Sequence, residues 1–90
     1  MNNRLLVRHE VSDYAKWKSY FDAHGNVRKN HGIKALQVLQ DTSNQNDVSI
    51  IFEVADIAKA KAFVKSNELK EHLKNAGVIG KTEMNFFSDK

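Results

Sequence analysis

The side chains best suited to bind or transform a small molecule are concentrated between positions 9 and 28. This stretch combines histidines, aromatic residues and an arginine: His9, Tyr14, Trp17, Tyr20, Phe21, His24 and Arg28. Imidazole moves protons near neutral pH and guanidinium pairs with anions, while aromatic rings pack against flat apolar groups. Together these groups predict a pocket for a small, partly apolar ligand with an anionic or phenolic group.

The candidate site residues fall into two sets. The candidate catalytic residues are His9, His24, Arg28 and His72, and the candidate ligand-binding residues are Tyr14, Trp17, Phe21 and Phe52. Simpler interpretations compete for three of them. Trp17 and Phe21 have the spacing of a core stripe that packs a helix on a sheet. His9 interrupts an apolar strand face, where a hydrogen-bonded core histidine is as good an explanation as a functional one.

Periodicity places these residues in a chain of β-α-β-β-α-β order. Apolar and polar residues alternate over 4–11, 33–40, 48–54 and 82–87, which predicts four strands. A first helix is predicted to start after Asp13 and end near His24, followed by a short helical extension. A second helix is predicted to start after Asp56, break at 66–67 and end at Gly77.

This order is that of the ferredoxin-like α+β fold, here as a single domain over residues 1–90. A four-stranded antiparallel sheet, with the first and third strands at its centre, carries both helices on one face. At this length folding buries only roughly 60% of the surface of the unfolded chain, so one sheet and one helical layer are expected. The face beneath the helices should be the more apolar one: Leu5, Val7, Val11, Ile50, Phe52, Val54, Met84 and Phe86.

The opposite sheet face is predicted to join two copies of the chain. It carries sizeable apolar residues among charged ones: Leu6, Leu36, Val38, Ile51 and Phe87. Such a patch is larger than monomers usually expose, so a partner surface is the simplest explanation. We therefore expect a homodimer through Leu6, Arg8, Leu36, Val38, Ile51 and Glu53. Arg8 and Glu53 share an orientation on the central strands and could pair at or inside such an interface.

Other classes of function are not expected. RNA-recognition proteins of this topology display aromatic rings on the open sheet face, where this chain has Leu6, Arg8 and Ile51, and the net charge is only +3, so no nucleic-acid partner is predicted. The chain has no cysteine and its histidines lack metal-binding spacing, so no metal is predicted. Without a signal-peptide core or a long apolar run, a cytoplasmic location and no membrane partner are expected.

A longer pattern resembles the dimeric α+β barrel superfamily. It runs from Val7 to Asp22, continues with Arg28 and Gly32, and returns as Ala62-Phe63, Leu69 and Ala76-Gly77-Val78. These residues are most similar to the small proteins related to antibiotic biosynthesis monooxygenases, which are often called cyclase-like. The resemblance implies two ferredoxin-like subunits whose sheets form a shared barrel, with a ligand cavity between sheet and helices in each subunit.

The resemblance also implies a chemistry. Monooxygenases of this superfamily oxidise polycyclic phenols without metal or flavin, and by analogy His9 or His24 would be the base and Arg28 would stabilise the anion. We therefore expect a cofactor-independent enzyme that oxygenates, cyclises or isomerises an aromatic or cyclic substrate. A non-catalytic ligand-binding or stress-related dimer is the alternative. Haem-degrading members use an asparagine, a tryptophan and a histidine. In this chain only the histidine has a counterpart, His72, so haem is not expected.

Overall fold

The computed structural model describes residues 2–89, and the side chains of residues 3–88. In chain order its elements are β1 (Asn2–Val11), α1 (Tyr14–Ala23), α2 (Gly25–Asn30), β2 (Ile33–Gln40), β3 (Asp47–Val54), α3 (Ile57–Val64), α4 (Asn67–Asn75) and β4 (Val78–Asp89). The predicted β-α-β-β-α-β order is confirmed, and each helical connection is divided into two helices.

The four strands form one antiparallel sheet in the order β2-β3-β1-β4, so β1 and β3 are central as predicted. Leu5 of β1 lies opposite Phe52 of β3 on one side and Phe86 of β4 on the other. Residues opposite one another point to the same side of a sheet. Burial therefore alternates along β3, where the buried residues are Val48, Ile50, Phe52 and Val54.

Side-chain caps decide where the helices begin. Oδ1 of Asp13 accepts a hydrogen bond from the backbone N–H of Lys16 at 3.3 Å. Asp56 and Ser66 cap α3 and α4 in the same way, and each cap satisfies an N–H that the first turn leaves unpaired. Gly77 follows α4 with φ of +84°, a left-handed conformation that favours glycine. Within residues 2–89, none of the helices has the length and apolar character needed to cross a membrane.

The helices cover the sheet face that carries Leu5 and Phe52. The buried apolar residues form one core: Leu5, Val7, Val11, Trp17, Ile33, Val48, Ile50, Phe52, Val54, Ala60, Phe63 and Ala76. Met84 and Phe86 pack against this core from β4. The predicted covered face is confirmed, and Trp17, only 2% exposed, fixes α1 on the sheet.

β2 contains a bulge that changes which of its residues reach the open sheet face. Its register with β3 shifts across Leu36, so one extra residue is inserted there. Val38 consequently lies opposite Ile50 and packs against the core. The prediction that Val38 belongs to the open face is therefore wrong. Leu39 takes that place and is 40% exposed.

Within one subunit Arg8 forms an ion pair with Asp47. Its Nε and Nη2 donate to the two carboxylate oxygens of Asp47 at 3.1 and 2.7 Å. These hydrogen bonds and the opposite charges raise the pKa of Arg8 and lower the pKa of Asp47. The register places Glu53 opposite Arg4 within the subunit, and the expected pairing of Arg8 with Glu53 at the dimer interface stays a prediction.

β4 begins earlier than predicted and bends away from β1 beside His9. Glu83 lies opposite Arg8 and Ile79 lies opposite Glu10, so three residues of β4 span the single position of His9. Gly80, one of the three, has φ of +71°. This irregularity interrupts the alternation of apolar and polar residues, which is why the pattern over 82–87 predicted only the second part of the strand.

Candidate functional site

A cavity of about 90 Å³ lies between the covered sheet face and all four helices. Its wall is almost entirely apolar, and none of the lining residues that the structure describes is Asp or Glu. Most of the predicted site residues line it, namely His9, Trp17, Phe21, His24, Arg28, Phe52 and His72. Tyr14 does not line it and instead packs against Trp17, with ring centroids 5.8 Å apart.

A row of rings along α1 forms one side of the cavity. Trp17 stacks on Phe21 with centroids 4.8 Å apart, and Phe21 lies 6.1 Å from Phe52 across the space between helix and sheet. At one end of the row Trp17 meets the edge of His9 at 5.8 Å. Trp17 and Phe21 therefore pack in the core and also face the cavity, which combines the two interpretations left open by the sequence.

His9 is buried without hydrogen-bond partners. It is 5% exposed, and neither ring nitrogen contacts a donor or acceptor among the described residues. Burial lowers its pKa to about 4, because the charged imidazolium loses more hydration than the neutral ring. His9 is therefore neutral at pH 7. Both nitrogens also present essentially no accessible surface, even toward the cavity.

Arg28 brings a cation to the same cavity. Its Cζ atom lies 3.7 Å from the centre of the Phe21 ring, a cation–π contact. Its Nε is buried without a partner, and no ion pair joins Arg28 to a carboxylate in the described part of the chain. Burial lowers the pKa of Arg28, and the charge of Asp22 opposes this shift. Arg28 is thus a partly desolvated cation beside an aromatic wall.

Tyr20, His24 and His72 form a polar cluster on the cavity wall. The Tyr20 hydroxyl and Nδ1 of His72 are hydrogen-bonded at 2.8 Å, and Nδ1 of His24 lies 2.7 Å from the backbone oxygen of Tyr20. The Tyr20 and His24 rings stack with centroids 4.0 Å apart, and the His24 and His72 rings are 5.0 Å apart. All three residues are half-buried.

Tyr20 belongs to the cluster that predicted the pocket but was not named as a catalytic or ligand-binding residue, although it joins two of them. Its spacing of four from His24 places both rings on one side of α1, and this spacing was the available signal. Its contact with His72, by contrast, spans 52 positions and depends on how α1 and α4 pack. His31 lies apart from this cluster, stacked on Phe63 at 4.2 Å. No group of three or more His, Cys, Asp or Glu side chains within the described residues is placed to hold a metal.

Comparison with known proteins gives a fold and no sequence family. No protein-family model matches the chain, and no curated protein matches it by sequence. Among solved structures, SnoaB, a cofactor-independent oxygenase from Streptomyces nogalater, has a TM-score of 0.75 at 15% identity, covering 99% of this chain and 93% of that one.

Two further structures are candidate antibiotic biosynthesis monooxygenases. The protein from Bordetella bronchiseptica has a TM-score of 0.80 at 7% identity, and the match covers 99% of this chain and 97% of that protein. The protein from Bacteroides thetaiotaomicron has a TM-score of 0.68 at 18% identity, and the match covers 98% of this chain and 89% of that protein. At these identities the similarity shows the fold alone. It agrees with the resemblance to the superfamily that contains antibiotic biosynthesis monooxygenases.

Proposed function

We propose that the cavity binds a small aromatic or cyclic molecule with an acidic hydroxyl group. The bound molecule is deprotonated and then oxygenated, cyclised or isomerised without a cofactor. The observation that carries this proposal is the guanidinium of Arg28, which is partly desolvated in an aromatic-walled cavity without a lining carboxylate. A partly desolvated cation that forms no ion pair with a carboxylate is costly, and a bound anion relieves that cost.

The shape of the wall favours a phenol or enol over a compact anion such as phosphate. An ionised phenol spreads its charge over a flat apolar ring, which can pack against Phe21 and Phe52 while its oxygen approaches Arg28. Removal of the hydroxyl proton makes the ring electron-rich, and such anions react with dioxygen or rearrange more readily than the neutral molecules. Imidazole groups that could accept this proton are present in His24 and His72.

Oxygenation is the first of the three reactions to test. SnoaB shares the fold and is a cofactor-independent oxygenase, which makes that chemistry compatible with a cavity of this architecture. The argument is one of analogy, because a fold supports many activities and the site residues decide between them.

The proposed assembly is a homodimer through the open sheet face. Leu36, Leu39 and Phe87 are 45%, 40% and 54% exposed there, beside half-buried Leu6 and Ile51. Pairing two such faces would cover an apolar surface that a monomer leaves in water. Arg8 and Glu53 remain candidates for contacts across this interface. Sedimentation of a monomer at micromolar concentration would contradict the proposal.

The binding proposal is tested with naphthol as the ligand and Trp17 as the reporter. Trp17 is the single tryptophan of the chain and lines the cavity, so its fluorescence reports directly on occupancy. We expect naphthol to quench it saturably. Arg28→Met should weaken binding of the naphtholate by about tenfold, which is about 1.4 kcal/mol for one charge-assisted contact. Lys29→Met, an exposed neighbour on α2, is the matched control and should bind as the wild type.

The catalytic part is tested separately with an oxygen electrode. Hydroxylated benzenes and naphthalenes are supplied to the protein, and protein-dependent oxygen consumption with an oxygenated product supports the oxygenase. Saturable binding without conversion of any of these compounds supports the non-catalytic ligand-binding protein instead. If neither naphthol nor the other phenols change the fluorescence of Trp17, the proposed phenol site is refuted.

A further inference from the structure

The hydrogen bond between His24 and Tyr20 decides which nitrogen of His24 carries the proton. A backbone carbonyl oxygen can only accept a hydrogen bond, so Nδ1 of His24, 2.7 Å away, must be the donor. In a neutral imidazole the other nitrogen, Nε2, is then unprotonated and holds a free lone pair. The stack of the Tyr20 ring on His24, at 4.0 Å and 17°, holds the imidazole in this orientation. Since His24 lines the cavity, this lone pair belongs to a group that a ligand can reach.

We propose that His24 is the base that deprotonates the bound ligand through Nε2, and that Tyr20 is the residue that positions it. This assignment rests on the proposed function and deepens it. In the step itself, the O–H bond of the ligand breaks, its electron pair stays on the ligand oxygen, and the proton binds to Nε2 of His24. The resulting imidazolium keeps its Nδ1–H bond to the Tyr20 carbonyl, and the guanidinium of Arg28 stabilises the ligand anion.

The other two histidines of the cavity are less suited to this role. The nitrogens of His9 present essentially no accessible surface, so a ligand oxygen cannot approach them in this conformation. His72 uses Nδ1 for its bond with the Tyr20 hydroxyl. When that hydroxyl donates, Nε2 of His72 carries the proton and is a donor. In this arrangement His24 is an acceptor and His72 a donor, two complementary groups 5.0 Å apart between ring centres.

The tautomer of His24 is measured by proton–nitrogen correlation NMR of the imidazole rings in the ligand-free protein. The expected result is a proton on Nδ1 and none on Nε2 for His24. This differs from the Nε2–H form that usually predominates in free histidine. Observation of the Nε2–H form for His24 would overturn the assignment, whether or not the cavity binds phenols.

The base is tested with para-nitrophenol, whose ionised form absorbs visible light, as the bound probe. His24→Gln should lower the ratio of ionised to neutral bound probe about tenfold, equivalent to about one unit in the pKa of the phenol. His31→Gln is the matched control, because His31 stacks on Phe63 but does not itself line the cavity. This variant should leave the ratio of ionised to neutral bound probe unchanged. His24→Asn provides a second variant if the glutamine variant does not fold.

The positioning role of Tyr20 predicts a contrast between two variants. Tyr20→Phe keeps the ring stack and the backbone carbonyl, so His24 should retain its tautomer. Tyr20→Leu removes the stack, so the tautomer of His24 and the ionisation of the bound probe should both be lost although the carbonyl remains. Failure of wild-type protein to bind any phenol refutes the proposed function. Binding and ionisation that are unchanged in the His24 variants refute the base alone.

Discussion

Replacement of His9 by leucine should make the protein more stable. Each buried, unsatisfied polar group costs about 1–3 kcal/mol, and neither nitrogen of His9 has a partner. Leucine is close to histidine in volume and needs no hydrogen bond, although an imperfect fit offsets part of the gain. We expect a net increase of about 1–3 kcal/mol in the free energy of unfolding at pH 7. For a domain of this size the midpoint temperature should rise by at least about 4 °C.

The same substitution should flatten the dependence of stability on pH. The folded protein binds a proton at His9 only near pH 4, whereas the unfolded chain binds it near pH 6.5. Between these values the unfolded state binds more protons, so the wild type loses stability as the pH falls through this window. The full shift corresponds to about 3 kcal/mol by pH 4. The advantage of His9→Leu should therefore grow by about that amount between pH 7.5 and pH 4.

The assay is chemical denaturation followed by far-ultraviolet circular dichroism at one protein concentration across this pH range. The difference between variant and wild type isolates His9, because acidic groups such as Asp47 titrate in both. His31→Leu is the control, since His31 is half-buried and hydrogen-bonded to Glu68 at 3.4 Å. A destabilised His9→Leu protein, or parallel curves for variant and wild type, would refute the reasoning and show that His9 has a partner.

Two further predictions concern local backbone features, and denaturation midpoints check both. Val38→Asp should destabilise the fold by about 1–3 kcal/mol, because it places a charge against the core. Leu39→Asp should leave the fold stable and weaken the dimer in sedimentation. Equal losses of stability in the two variants would contradict the bulge in β2. Gly77→Ala should cost more than Gly80→Ala, about 2 against about 1 kcal/mol. Both glycines have positive φ, but only at Gly77 would a Cβ lie 2.9 Å from Oγ of Ser12; similar losses would argue against that contact.

The fold was predictable because its signals are local. Alternation along β1 and β3 assigns each residue to a face, since side chains on a strand point to opposite sides in turn. Asp13 and Asp56 identify helix starts because a cap acts within three residues. The rings along α1 and the histidines of the cavity also followed from residue type and spacing.

The structure departs from the sequence-based predictions where one secondary-structure element meets another. A bulge is a property of a strand pair, so neither the exchange of Val38 for Leu39 nor the early start of β4 is visible in one strand's periodicity. The partner of Arg8 depends on register in the same way. Likewise, the sequence offered His9 and His24 as equivalent bases. Only the tertiary structure distinguishes them, because burial seals the nitrogens of His9 while the carbonyl of Tyr20 sets the proton of His24.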